Sequence, residues 1–151
     1  MLTYHYSTRF GDNDGNKYMV SAINMFKTGI IPAWEDPQNQ HGSEFRIELK
    51  AHNPEKVQIA WEKLVQDMVT GNMPMVSEIV TGVRLVQRQK NFMFNNYRIE
   101  LWMTSEDEQS KQVIAIRDYL EDKLVAETLD QSGSVTVKLD LREGYKKDLK
   151  Q

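Results

Sequence analysis

An α+β domain, in which an antiparallel sheet carries both of its helices on one side, is what the 151-residue sequence predicts. Two observations carry this expectation. Segments such as "SEFRIELK" and "SVTVKLDL" alternate apolar and polar residues, the mark of strands with one dry face. Two longer segments each show a single apolar stripe at helical spacing, so each helix packs on one side only. One sheet face with both helices against it satisfies all of these surfaces, and the opposite face is left to solvent.

The opening "STRFGDNDGNKYMV" is rich in Gly, Asn and Asp and reads as loop, leading into a strand from Lys17 to Phe26. The loop "IIPAWEDPQNQHG" follows. In the strand from Ser43 to Lys50, Phe45, Ile47 and Leu49 form the dry side. Next, Asn53 as N-cap, Pro54 at the first helical position and Gly71 as the stop bracket a helix. Its stripe is Val57, Ala60, Trp61, Leu64, Val65 and Met68, so Trp61 reads as core.

"SEIVTGVRLVQRQK" and "NNYRIELWMTS" predict an antiparallel hairpin turning around "NFMFNN". Phe92 and Phe94 in that turn suit either self-packing or a partner patch. Ser105 with Glu108 forms a capping box, and Val113, Ile116, Leu120 and Leu124 continue a helix from Glu106 to Leu124. A last strand covers Ser134 to Leu141. Residues 1–151 thus make one domain, with 1–16 and 143–151 expected to be flexible.

Composition narrows the function. Hydrophobic residues at 40% and charged residues at 27% are those of an ordinary globular domain. A net charge of -3 gives no general attraction for polyanions, so any phosphate must be held by a local cluster. The absence of cysteine excludes thiol nucleophiles and thiolate metal sites. His5, His41 and His52 lie in separate segments without metal-ligand spacing, and no cofactor is called for. No apolar run approaches the ~20 residues of a membrane span, and "MLTYHYSTRF" lacks the layout of a signal peptide, which points to the cytoplasm and away from membranes.

The period-2 rule puts Ile99, Leu101 and Met103 toward the helices and Arg98, Glu100 and Trp102 on the polar face. On the neighbouring strand the same rule groups Arg84, Val86, Arg88 and Lys90. A basic stripe beside an exposed indole suits a ligand with a flat base and phosphates. Trp34 and Glu35 sit together in a polar loop, where an indole can stack on a base and a carboxylate can accept two N–H bonds from the edge of guanine. Adenine offers no such pair of donors.

These residues resemble the translation initiation factor 4E family, which binds the 7-methylguanosine cap of messenger RNA. The resemblance runs from Met25 to Leu141. It is carried by "MFKTGIIPAWEDPQNQHGSEFRIEL", similar to the family's Leu-Phe-Lys-x-Gly-Ile-x-Pro-x-Trp-Glu-Asp followed by a glycine loop and a strand, and by "AWEKLVQDMVTG", "TGVRLVQRQK" and "IELWMTS". It implies a curved sheet with helices on its convex back and a cap slot on its polar concave face. Trp34 would stack on the methylated base, Glu35 would bond its N1 and N2 hydrogens, and Trp102 would touch the methyl group. Arg88 and Lys90 would hold the phosphates, with Arg98 as a helper. The implied partners are capped messenger RNA, a factor 4G-like scaffold and 4E-binding proteins.

Two departures from the family pattern accompany the resemblance. Family members carry some tens of residues ahead of the position of Met1, including a second sandwich tryptophan. If nothing precedes Met1, one indole does the work of two and weak cap affinity is expected unless Tyr18 or another aromatic substitutes; if the sequence is part of a longer chain, the sheet lacks an edge and is open to pairing with another chain. The positions that present leucines to the scaffold fall on Glu62 and Gln66, which weakens an apolar helix-in-groove contact. A 4E-like adaptor or translational repressor with impaired cap binding is therefore the alternative. An enzyme acting on nucleotides lacks the clustered carboxylates or general-base histidine it needs.

Overall fold

The computed structural model describes residues 3–13, 17–87, 96–105, 107–129 and 134–141. Six strands form one curved antiparallel sheet: β1 (Tyr4–Asn13), β2 (Lys17–Lys27), β3 (Ser43–Lys50), β4 (Val80–Gln87), β5 (Tyr97–Met103) and β6 (Ser134–Leu141). Their spatial order is β1-β2-β4-β5-β3-β6. The helices α1 (Pro54–Thr70) and α2 (Lys111–Asp118) cover the convex face, as the apolar stripes require.

The core lies between the sheet and these helices. Phe45, Ile47 and Leu49 of β3, Val83 of β4 and Ile99, Leu101 and Met103 of β5 meet Val57, Ala60, Trp61, Leu64 and Met68 of α1 and Val113, Ile116, Leu120 and Leu124 beyond them. Each large side chain buried there contributes roughly 1.5–3 kcal/mol of gross hydrophobic stabilisation. Trp61 is core, as the stripe predicts. Asn53 caps α1 by accepting from the Glu55 N–H at 2.9 Å, and Gly71 ends it in the left-handed conformation.

Three elements differ from their sequence expectation. The opening segment expected as loop is the strand β1, registered from Tyr4 opposite Lys27 to Asn13 opposite Lys17, with a bulge between Arg9 and Phe10. Its Gly, Asp and Asn residues disfavour a strand locally, but β2 supplies a complete ladder, and tertiary pairing overrides propensity. Tyr4 also reaches across to donate to the Met68 carbonyl.

The second helix begins five residues later than the Ser105 capping box suggests. The Ser105 hydroxyl accepts from the Asp107 N–H and Asp107 accepts from the Gln109 N–H, so successive side-chain turns occupy this stretch instead of a helix. The cap is Ser110, which accepts from the Val113 N–H at 3.1 Å. Beyond Asp118 the helix widens into a π-helical segment, Tyr119–Val125, and closes with one α-turn at Ala126–Thr128.

The first hairpin strand begins only at Val80, because 71–79 fold into turns that bury Met73, Val76 and Ile79. The hairpin tip with Phe92 and Phe94, and the tail after Leu141, lie outside the described residues. Among the described residues no helix is long and apolar enough to cross a membrane.

Candidate nucleotide-binding face

The strand register builds the polar face row by row. Gly82, Trp102, Glu44 and Asp140 face one another across β4, β5, β3 and β6, and Phe26 of β2 stands opposite Gly82. The next row is Asn24, Arg84, Glu100, Arg46 and Lys138. The third is Ala22, Val86, Arg98, Glu48 and Thr136. The alternation read from the sequence thus puts Arg98, Glu100 and Trp102 on the side opposite the core.

Trp102 is not the exposed ring that was expected: it is 4% exposed. Phe26 packs edge-to-face against it, with centroids 5.2 Å apart and planes at 87°. Gly82 permits this contact, since a Cβ there would fall 2.3 Å from ring atoms of Phe26. The indole Nε1–H donates to Glu100 Oε2 at 2.9 Å. Alternation along one strand names a face but not the side chains that pack over it, and here the Phe26 ring of β2 does so in the space that Gly82 of β4 leaves open.

Glu100 is itself 2% exposed. Its Oε1 accepts from Arg98 Nε at 2.8 Å, and Arg84 stands 3.9 Å from its Oε2. Arg98 also lies 3.9 Å from Glu48. Arg46 forms a second cluster, donating to Glu44 at 2.6 Å and standing 2.8 Å from Asp140. Burial alone would lower the Arg46 pKa, but the hydrogen bond to Glu44 and the charges of Glu44, Asp140 and Glu100 raise it. The floor of the face is therefore a lattice of alternating charges in which three arginines are matched by carboxylates. Arg88 and Lys90, the expected phosphate contacts, lie outside the described residues, as does the side chain of Tyr18.

The loop 28–42 joins β2 to β3 at the end of the sheet where the row of Phe26 and Trp102 lies. It is stapled from within by two buried residues that the sequence reading did not single out. Asp36 accepts from the Ile31 N–H at 2.8 Å and the Gln38 N–H at 2.9 Å. Asn39 donates to the Ile31 and Ala33 carbonyls at 3.1 and 2.9 Å. Their signal was an Asp before a proline and an Asn three residues on, side chains suited to bonding nearby backbone. Gly42 lets the loop return tightly, for a Cβ there would meet the Met103 carbonyl oxygen. On this frame Trp34 is held half-buried and Glu35 is exposed.

On the convex side a groove of about 560 Å³ opens between α1 and the sheet. Tyr6, Ile23, Trp61, Val65, Leu85 and Tyr97 form apolar walls, and Glu62 and Gln66 stand among its polar lining. Ile59 and Val69, on the same helix, are exposed. Among the described residues no group of three or more acidic or histidine side chains could hold a metal ion.

The family model of eukaryotic initiation factor 4E matches residues 14–146. Eukaryotic translation initiation factor 4E-4 of Caenorhabditis elegans is 29% identical over 86 residues, which are 57% of this chain and 36% of that relative. The chain thus matches about a third of the length of this curated relative. Among solved structures, C. elegans eIF4E-3 in complex with the 4E-binding protein Mextli and a cap analog superposes with a TM-score of 0.62 at 18% identity, over 86% of this chain and 65% of that one. Ascaris suum eIF4E-3 with m7G cap superposes with a TM-score of 0.60 at 20% identity, over 82% of this chain and 63% of that one. At these identities the likeness establishes the fold.

Proposed function

Because this chain belongs to the eukaryotic initiation factor 4E family, we propose that loop 28–42 and the polar concave face bind the 7-methylguanosine cap of messenger RNA, as a non-enzymatic module of translation initiation in the cytoplasm. The observation that carries this reading is the stapled loop: Asp36 and Asn39 fix the turn on which a half-buried indole, Trp34, and an exposed carboxylate, Glu35, stand side by side. Ligand affinity is greatest where the recognising groups are ordered before binding.

In this reading Trp34 stacks on the base, which methylation makes cationic and so more attractive to an indole face. Glu35 accepts from N1 and N2 of guanine, a charge-assisted pair. Trp102 meets the methyl group after its cover has moved aside, since the ring is otherwise buried. Arg88 and Lys90 hold the phosphates. Arg98 is a weaker helper, because a phosphate must compete with Glu48 and Glu100 for it.

A second reading draws on the convex groove. Its apolar walls suit an amphipathic helix of a factor 4G-like scaffold or a 4E-binding protein, and Glu62 and Gln66 on its lining weaken that fit. The chain would then act as an adaptor or repressor with little cap affinity.

Titration of tryptophan fluorescence with 7-methyl-GTP against GTP, at one ionic strength, separates the two. Cap binding predicts quenching by the methylated nucleotide and its loss, by at least about tenfold in Kd, in Trp34→Ala. Equal response to both nucleotides would leave the adaptor reading standing.

A further inference from the structure

We propose that Glu100 makes the site prefer a cationic base, acting through Trp102 without touching the ligand. The inference rests on the cap-binding reading and adds to it a residue with a distinct task.

Glu100 is a buried carboxylate in the middle of the polar face, and a buried charge is tolerated only where it is paired and hydrogen-bonded. Its two oxygens divide the work: Oε1 takes Arg98 Nε at 2.8 Å, and Oε2 takes the Trp102 indole N–H at 2.9 Å. A buried ion pair replaced whole by apolar side chains is often no less stable, so stability alone does not call for charges at this place. What the carboxylate does is fix and polarise the indole. One edge of the ring is tied to Glu100 by a bond that stays in place when the Phe26 ring, packed against the indole over Gly82, moves aside. The rotamer of Trp102 is thus set before any ligand arrives.

Donating its N–H to an anion also shifts electron density into the indole ring. The attraction of an aromatic face for a cation is electrostatic and grows with that density, whereas a neutral base gains little from it. Glu100 therefore acts on the ratio between methylated and unmethylated guanine more than on affinity for both. It is a positioning residue, and its signature is selectivity.

The test compares the full chain with Glu100→Gln, an isosteric change that removes the charge, by titrating both with 7-methyl-GTP and GTP at fixed pH and salt. The expected result is a Kd for 7-methyl-GTP raised about fivefold or more, with that for GTP changed less than about twofold. A ratio that stays constant, whether both affinities hold or both fall together, overturns the proposal while leaving cap binding intact. A wild-type chain that does not distinguish the two nucleotides overturns the cap-binding reading and this proposal with it. Should Glu100→Gln fail to fold, as judged by near-ultraviolet circular dichroism, the wild type decides. Its Trp102 Nε1–H resonance, identified by its loss in Trp102→Phe, should move farther at saturation with 7-methyl-GTP than with GTP. Equal movement overturns the proposal.

Discussion

Gly82 is a tightly constrained position on the polar face. Its missing side chain is the space into which the Phe26 ring fits on its way to Trp102, and the 2.3 Å approach of an added Cβ leaves no room for even a methyl group. Gly82→Ala should cost about 1–3 kcal/mol, as overpacking does, and read out as a lower urea midpoint with little change in slope. Nucleotide binding should weaken with it, because the same ring orients the indole. This residue also marks the limit of what strand alternation can tell. Trp102 was assigned to the correct face from the sequence alone, since period 2 is a local property. Its burial depends on a glycine and a phenylalanine from two other strands, and no local pattern reports that. For Trp34 and Glu35 the loop was legible, but the buried staples Asp36 and Asn39 were not, because polar residues in a polar loop give no outward sign of being interior.

Among the elements, α1 was fully legible because cap, first-turn proline, stripe and terminal glycine all agree. The second helix was misread at its start because Ser105 and Glu108 imitate a capping box whose backbone is committed to other turns. Its π-helical segment has a consequence that pH can expose. Tyr119 donates to Asp67 of α1 at 2.6 Å. Burial, then that bond, then the charges of Asp67 and Glu127 raise its pKa above the ordinary value of 10.0. The folded phenol therefore keeps its proton where the unfolded one loses it. Stability from this group is complete below about pH 10 and falls as pH rises beyond that. Urea midpoints measured from pH 8 to 11 should decline in the wild type and decline less in Tyr119→Phe, with a residual slope from Tyr4 and Tyr97, whose pKa values burial also raises. On the other side of the sheet, a ligand that touches Trp102 must first displace what covers it. Stopped-flow quenching by 7-methyl-GTP should then show a rate that levels off with concentration, where an open site would give a straight line.

At the scale of the whole molecule, one face holds the apolar core and helices and the other holds paired charges, so the polar concave face and the convex groove lie on opposite sides of the sheet. The antiparallel sheet with both helices on one side was predictable because every strand with a clear alternation had to face the same two stripes. The strand order was not, since alternation says which side is dry but not which strand is the neighbour. That order places β3 between β5 and β6, with Ser43 opposite Leu141. A nascent chain leaving the ribosome has made β3 by residue 50, yet its outer partner is complete only at residue 141. At ~5–20 residues per second the intervening 91 residues take roughly 5 to 18 seconds, during which both edges of β3 lack a partner until β5 is made at Met103 and the outer edge lacks one to the end. The segment "SEFRIELK" is then a ready template for a neighbouring chain on the same polysome. The order of strands thus makes synthesis, more than the finished state, the period in which this protein depends on being shielded from its own copies.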